Sequence, residues 1–227
     1  MIDLGKLEEI LGYKFNNKDL LLQALTHSSY ANESASHSMQ DNERLEFLGD
    51  AVLDMAVSKV LYDREFDKAE GDLTKLRASI VCEASLAAIS RQCKFNEFIL
   101  LGKGEEHNGG RMRDSILGDC VESIIGAIYV DSGFAVASEV VSRLFKETID
   151  NAMNGLLPHD SKTELQEKLQ AHGPCTIEYK LEGEEGPDHD KSFTFSVYVD
   201  GKRLGIGKGK SKKAAQAHAA EDALRGL

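Results

Sequence analysis

The sequence predicts an all-α domain followed by a small α+β domain of order α-β-β-β-α. Three observations carry this. Residues 1–153 hold apolar side chains at helical spacing almost throughout. Residues 154–160, Asn154-Gly155-Leu156-Leu157-Pro158-His159-Asp160, interrupt that spacing with turn formers and read as a linker. From 161 to 227 the apolar period alternates between that of a helix and that of a strand. A chain of 227 residues has room for two such domains.

In chain order, helical spacing spans Leu4–Leu11, Leu20–Leu25, Leu45–Leu61, Leu73–Ile89, Ile116–Tyr129 and Val136–Ile149. Asn16 or Asn17 is placed to cap the second helix, and Asp41 or Asn42 the third. Gly102, Gly104, Gly109 and Gly110 mark a loop. Beyond the linker, Ser161–Ala171 reads as a helix capped by Asp160 or Ser161. Thr176–Glu182 alternates like a strand, and the polar run from Glu184 to Asp190 is a turn. Ser192–Val199 alternates strongly, with Phe193, Phe195, Val197 and Val199 on one face. Asp200-Gly201 is a hairpin signal, and Arg203–Gly209 follows as the third strand. Ser211 then caps an alanine-rich helix running to about Leu224. Phe47, Phe193 and Phe195 fit core positions rather than base-stacking platforms.

Composition is that of an ordinary globular chain, 41% hydrophobic and 29% charged. No stretch approaches the roughly 18–20 uninterrupted apolar residues of a membrane helix, and the first residues lack a signal-peptide pattern. Cys82, Cys93, Cys120 and Cys175 form no CxxC pair and no disulfide spacing, so a reducing compartment is expected, with the cytoplasm as default. The net charge of −11 argues at first against a phosphate-rich partner. It is unevenly placed. Residues 160–227 hold 11 of the 27 basic and 12 of the 38 acidic side chains, which leaves 16 and 26 to residues 1–159. Lys208, Lys210, Lys212 and Lys213 fall in one short run of the nearly neutral C-terminal part.

The stretch Asn42–Leu53 is the most informative. At about 100° per residue, Glu46 and Asp50 lie about 40° apart on one helix face, with Glu43 within about 60° of both. Asp119 and Glu122, three residues apart, share a face of a second helix, where Gly118 and Gly126 allow a neighbouring helix to come close. Like charges brought together raise one another's pKa, so a packed cluster needs a cation. Mg²⁺ takes oxygen ligands and keeps some of its waters, and such a site can activate water toward a phosphodiester. Periodicity is equally compatible with two solvated faces that never meet.

Other signals fall away. Gly209-Lys210-Ser211 lacks the P-loop glycine, since Leu204 occupies that position. His159-Asp160 and His189-Asp190 sit in a linker and a turn without further histidine ligands. His27 lies at the end of an amphipathic helix and reads as a packed or capping histidine.

Asn42–Leu53 resembles the ribonuclease III family signature nearly residue for residue. Gln23–Ser29, Glu70–Thr74, Arg77-Ala78, Gly109–Leu117, Asp119–Glu122 and Ile125–Tyr129 resemble its other blocks, so the likeness spans the whole chain. The resemblance implies an all-α endonuclease domain at 1–153, a linker at 154–160 and a double-stranded-RNA-binding domain at 161–227. It implies that Glu46, Asp50, Asp119 and Glu122 bind metal, with Asp50 and Glu122 catalytic and indispensable, and that Glu43 and Glu70 are accessory acidic residues. Mg²⁺ is the implied cofactor, with Mn²⁺ as a substitute. Gly118 stands where the family usually has alanine, and Ser28 where arginine is common. Neither departure removes a ligand.

A helix–three-strand–helix unit with lysines before its last helix resembles a duplex-RNA-binding module. Such modules read 2′-hydroxyls and phosphates across two minor grooves, because A-form RNA hides its bases. The resemblance assigns Thr163, Gln166 and Glu167 to the first groove, His189 to the next, and Lys210, Lys212 and Lys213 to phosphates, where a helix N-terminus also favours the anion. It further implies a homodimer through the helical domain, with Phe47 as a candidate contact. It implies products with 5′-phosphate and 3′-hydroxyl ends and short 3′ overhangs, and substrates among rRNA precursors and structured mRNA or tRNA. Two other classes compete: a duplex-RNA-binding regulator that does not cut, and a helical metal-dependent phosphohydrolase acting on nucleotides. A complete acidic set disfavours the first, and a groove-spanning module disfavours the second.

Overall fold

The computed structural model describes residues 3–33, 40–156, 161–171, 173–186 and 191–227. The chain divides into two compact units, Met1–Leu157 and Pro158–Leu227.

The described part of the first unit is helical: α1 (Leu4–Leu11), α2 (Lys18–Ala24), α3 (Ser28–Glu33), α4 (Glu43–Arg64), α5 (Glu70–Ile80), α6 (Glu83–Gln92), α7 (Lys103–His107), α8 (Asp114–Leu144) and α9 (Lys146–Met153). Its centre is the pairing of α4 with α8, flanked by α2 and α6 on α8 and by α5 on α4. Leu45, Val52, Leu53, Ala56 and Val57 of α4 meet Leu117, Cys120, Val121, Ile124 and Ile128 of α8 in one buried cluster, where removal of apolar surface from water drives assembly. By length and composition α8 could cross a bilayer, yet it carries Asp119 and Glu122 and is the core helix of this unit.

The sequence reading did not anticipate α3, it gave Glu184 and Glu185 to a turn where a strand runs on through them, and it differs from the helical unit in four further places. The run Leu73–Ile89 is two helices, because the chain turns at Val81 and Cys82 between α5 and α6. Apolar spacing persists through that turn, since both helices face the same core, and so periodicity alone missed it. The expected gap after Tyr129 is a break inside α8, where Gly133 adopts φ 80° and ψ 178°. Next to it the Asp131 carboxylate accepts from the Tyr13 hydroxyl and from the backbone N–H groups of Asn16 and Asn17, at 2.5, 2.8 and 3.0 Å. The expected helix Val136–Ile149 is divided at Phe145 between α8 and α9. The glycine-marked loop contains α7, whose first N–H groups are held by the Glu33 carboxylate.

The capping expectations resolve clearly. Asn17 Oδ1 accepts from Asp19 N–H at 3.0 Å. At α4 the capping acceptor is Asp41 Oδ1, 3.3 Å from Glu43 N–H, while buried Asn42 makes no side-chain cap. Phe47, expected in the core, is 83% exposed.

The second unit is α10 (Ser161–Gln170), β1 (Ile177–Glu185), β2 (Ser192–Val199), β3 (Lys202–Gly209) and α11 (Lys212–Arg225). The strands form an antiparallel sheet in the order β1-β2-β3. Asp200 and Gly201 turn the β2–β3 hairpin with φ of 48° and 81°, the left-handed pair a tight hairpin demands. α11 lies directly on β3. A Cβ on Gly205 or Gly207 would overlap the α11 backbone at Ala219, and one on Gly209 would stand 2.6 Å from Ala215 N. Alternate glycines on β3 facing alanines of α11 therefore set the sheet-to-helix distance, and Leu165, Val197, Ala219, Ala220 and Ala223 fill the core between. Phe195 is buried as expected and Phe193 is half-buried. Ser211 Oγ caps α11 at Ala214 N–H, 3.1 Å away.

Candidate functional site

The two acidic faces meet. Glu46 from α4 and Asp119 and Glu122 from α8 each offer a carboxylate oxygen within 4.8 Å of the others. Glycine makes this possible. A Cβ on Gly49 would overlap the Glu122 carbonyl oxygen, and one on Gly126 would overlap the Leu45 carbonyl oxygen. The helices touch backbone to backbone at the level of the carboxylates. Gly118 has no part in this approach: a Cβ there would make an ordinary 3.6 Å contact with Leu86. Ser123 ties the same region together, its hydroxyl donating to the Asp119 carbonyl at 2.6 Å and reaching the Asn42 carbonyl at 3.4 Å.

Asp50, one turn beyond Glu46, is exposed and outside the three-residue cluster, but near enough to disfavour ionisation of both Glu46 and Glu122. Burial is the largest cause of the upward shift at all three clustered carboxyls. It pushes Glu122 up to about 8, with added repulsion from Asp50, Asp119, Glu46 and Asp54. Glu46 is raised further by Asp119, Glu43 and Asp50. At Asp119 the neighbouring His27 opposes the rise and Glu83 adds to it. Among the described residues, no lysine or arginine pairs with Glu46, Asp50, Asp119 or Glu122. Oxygen-only donors, crowded and without a counter-cation, are the donor set that a hard divalent ion fits.

The accessory positions separate. Glu43 acts on Glu46 across one helical turn. Glu70, at the first turn of α5, is exposed and accepts from Thr74 Oγ at 3.1 Å. Near the cluster lie His27, read from the sequence as a packed or capping group, and Glu83 and Asp54, which the sequence reading did not single out. Of the latter two, only Asp54 carried a signal, its i+4 spacing from Asp50 along the same helix.

In the second unit, Gln166 and Glu167 are exposed on α10, and Lys210, Lys212 and Lys213 are exposed around the start of α11. Lys212 Nζ lies 3.8 Å from Glu184 and 5.7 Å from the centre of the Phe193 ring. Lys208 pairs with Glu185 at 2.6 Å. The Thr163 side chain and the whole of His189 lie outside the described residues.

A helical unit with a carboxylate cluster is thus joined in one chain to an α-β-β-β-α module. The comparisons specify the family. Residues 17–148 match the ribonuclease-III-like family model, and residues 161–227 match that of the double-stranded RNA binding motif. The chain is 47% identical over 223 residues to a ribonuclease 3 of Desulforamulus reducens, covering 98% of this chain and 91% of that one. It is 48% identical over 224 residues to a ribonuclease 3 of Caldanaerobacter subterraneus, covering 99% and 98%. The nuclease domain of ribonuclease III from Campylobacter jejuni superposes with a TM-score of 0.60 at 46% identity, over 65% of this chain and 97% of that domain. The chain belongs to the ribonuclease III family and is an endoribonuclease carrying a double-stranded-RNA-binding domain.

Proposed function

We propose that the enzyme hydrolyses phosphodiester bonds of double-stranded RNA at a Mg²⁺ centre held by Glu46, Asp119, Glu122 and Asp50, with Mn²⁺ as a substitute. The observation that carries this reading is the convergence of Glu46, Asp119 and Glu122 within 4.8 Å without a cationic partner among the described residues. When bound, the ion supplies charge stabilisation at the phosphate and activates water as nucleophile. The protein orients the carboxylates through the α4–α8 contact and keeps Glu122 half-buried, where electrostatic interactions are strong. Asp50 and Glu122 are the indispensable pair, and Glu43 and Glu70 are accessory groups on the scissile-strand side. Availability favours Mg²⁺ over Mn²⁺ in the cell.

The second domain positions the duplex. Thr163, Gln166, Glu167 and His189 address 2′-hydroxyls in successive minor grooves, and Lys210, Lys212 and Lys213 address phosphates at the start of α11. The segment 154–160 serves as the linker. Products carry 5′-phosphates and 3′-hydroxyls with short 3′ overhangs, and rRNA precursors and structured mRNA or tRNA are the substrates. All four cysteines are free, which suits the cytoplasm as its compartment.

The catalytic form is a homodimer assembled through the helical domain. Phe47, Met55 and Tyr62 are 83%, 59% and 74% exposed. They lie within about 80° of one another around α4, an apolar stripe that a second copy would cover. The Campylobacter jejuni nuclease domain likewise has a region involved in dimer formation.

The test is cleavage of a labelled RNA duplex in Mg²⁺ or in EDTA, by wild type and by Glu122→Ala. Cutting that needs metal and is abolished in the variant, with duplex binding retained, is the expected outcome. Wild-type protein that binds duplex but cuts in neither Mg²⁺ nor Mn²⁺ would overturn it and leave a binding regulator.

A further inference from the structure

β3 is an edge strand, with β2 on one side only. In an antiparallel pair, alternate residues turn their N–H and C=O away from the neighbouring strand, and an edge leaves those groups without a ladder partner. At β3 two of them are satisfied by side chains of α11. Ile206 N–H donates to Asp222 Oδ2 at 3.0 Å. His218 Nδ1 stands 2.7 Å from the Lys208 carbonyl oxygen. A carbonyl only accepts, so Nδ1 carries the hydrogen and donates.

The two elements have matching repeats. Ile206 and Lys208 are about 6.6 Å apart along a strand, and His218 and Asp222 are about 6 Å apart along a helix. The glycine contact supplies the closeness: a Cβ on Gly207 would stand 2.5 Å from the His218 carbonyl carbon. Both side chains belong to exposed residues, so their place is set by these bonds and not by burial.

The bond to Lys208 falls where the duplex-binding lysines begin. Lys210 and Ser211 join β3 to α11. On the helix side, Ser211 Oγ accepts from Ala214 N–H at 3.1 Å, and the Ser211 carbonyl accepts from Ala215 N–H at 3.0 Å. On the strand side, His218 holds the Lys208 carbonyl. The backbone that carries Lys210, Lys212 and Lys213 is thus fastened at both ends. A segment fixed before its ligand arrives spares association the cost of ordering it.

We propose that His218 is a positioning residue for duplex binding: its Nδ1–H holds the Lys208 carbonyl and so presets the Lys210–Lys213 segment against phosphates. The inference rests on the reading of those lysines as phosphate contacts. His218→Asn keeps a donor in place, because asparagine carries its amide nitrogen on Cγ, where histidine carries Nδ1. His218→Leu fills the position without a donor.

The measurement is duplex-RNA binding by the full chain, in EDTA to withhold the metal, with thermal unfolding alongside. His218→Leu should bind the duplex about 3–10-fold more weakly than wild type at unchanged Tm, and His218→Asn should stay close to wild type. In a Lys210→Ala background the same His218→Leu change should cost less than it does alone, because the two act through one contact. A His218→Leu protein that binds as wild type does overturns the proposal. So does equal loss in His218→Leu and His218→Asn, a loss fully additive with Lys210→Ala, or a fall in Tm that accompanies the loss. Lys210→Ala, Lys212→Ala and Lys213→Ala proteins that each bind as wild type does sink the lysine reading itself, an outcome distinct from lysine dependence with an unaltered His218→Leu.

Discussion

Gly49 and Gly126 face each other across the α4–α8 contact, so closely that a Cβ on Gly49 would stand 3.0 Å from Gly126 N and one on Gly126 would stand 3.1 Å from Gly49 N. Backbone atoms leave no room for either methyl group. Gly49→Ala or Gly126→Ala must separate the helices, and with them Glu46 from Glu122. Each variant is expected to lose about 1–3 kcal/mol, the usual cost of overpacking, and to lose divalent-ion binding. Urea unfolding together with Mn²⁺ calorimetry checks this, and an alanine variant of wild-type stability would refute the close-contact account.

Gly118→Ala should act in the opposite direction. The added methyl meets Leu86 Cβ at 3.6 Å, an ordinary contact, and alanine exceeds glycine in helix propensity by up to about 1 kcal/mol. Tm should rise while duplex cleavage is unchanged. A fall in Tm would show that the helix uses the flexibility of this position.

These two glycine sites mark what could be read before the fold was known. Glu46 and Asp50, or Asp119 and Glu122, share faces by arithmetic on a single helix, and that needs no tertiary knowledge. Whether the faces meet depends on contacts between residues some 70 positions apart, which periodicity does not encode. Gly126 and Gly118 are alike in sequence, yet one lies against α4 and the other against Leu86. In the second unit the β3 glycines carry no apolar signal, so their stacking on α11 was equally silent. Phe47 sits among apolar neighbours and read as core, but its face of α4 points outward. His27 was legible as a capping group, and its ring does accept from Ser29 N–H. Its influence on the Asp119 carboxyl is a property of the fold, and no sequence pattern announced it.

Glu122 makes the metal-free protein sensitive to pH. Its carboxyl, raised to about 8 chiefly by burial, holds its proton in the fold well above the ordinary value of 4.5. Between those values the folded state binds more protons than the unfolded one, so stability falls as pH rises from about 4.5 toward 8. Partial exposure of the group moderates the slope. Glu122→Gln should flatten it, making the metal-free variant more stable than wild type at pH above 7. Divalent ions should then release protons on binding, seen as a buffer-dependent heat in calorimetry at pH 7. A wild-type stability profile that rises through this range would contradict the assignment.

The lysines at the start of α11 should contribute unequally. Lys213 is exposed and makes no ion pair among the described residues, whereas Lys212 already has Glu184 at 3.8 Å and the Phe193 ring beneath it. Each phosphate contact adds close to one unit to the slope of log K against log salt. Lys213→Ala should therefore reduce the slope of duplex binding by about one, and Lys212→Ala by less, because the Lys212 charge is already partly neutralised by Glu184. Equal slopes for wild type and Lys213→Ala, measured from low to moderate salt, would remove Lys213 from the interface.

The exposed stripe on α4 gives the last expectation. An 83% exposed phenylalanine leaves most of a large apolar side chain in water, and Tyr62 and Met55 extend the patch. Covering it with a second copy recovers that area at about 25 cal/mol per Å². Phe47→Asp puts a charge where the partner must seat and should convert a dimer to a monomer in sedimentation velocity. Since Phe47 is outside the core, the isolated fold should keep its far-UV circular dichroism. The neighbouring Glu46 carboxylate remains in place, so Mn²⁺ binding by the monomer should persist while duplex cleavage drops, since the proposed catalytic form is the dimer. A Phe47→Asp protein that still sediments as a dimer would move the interface elsewhere on the helical unit.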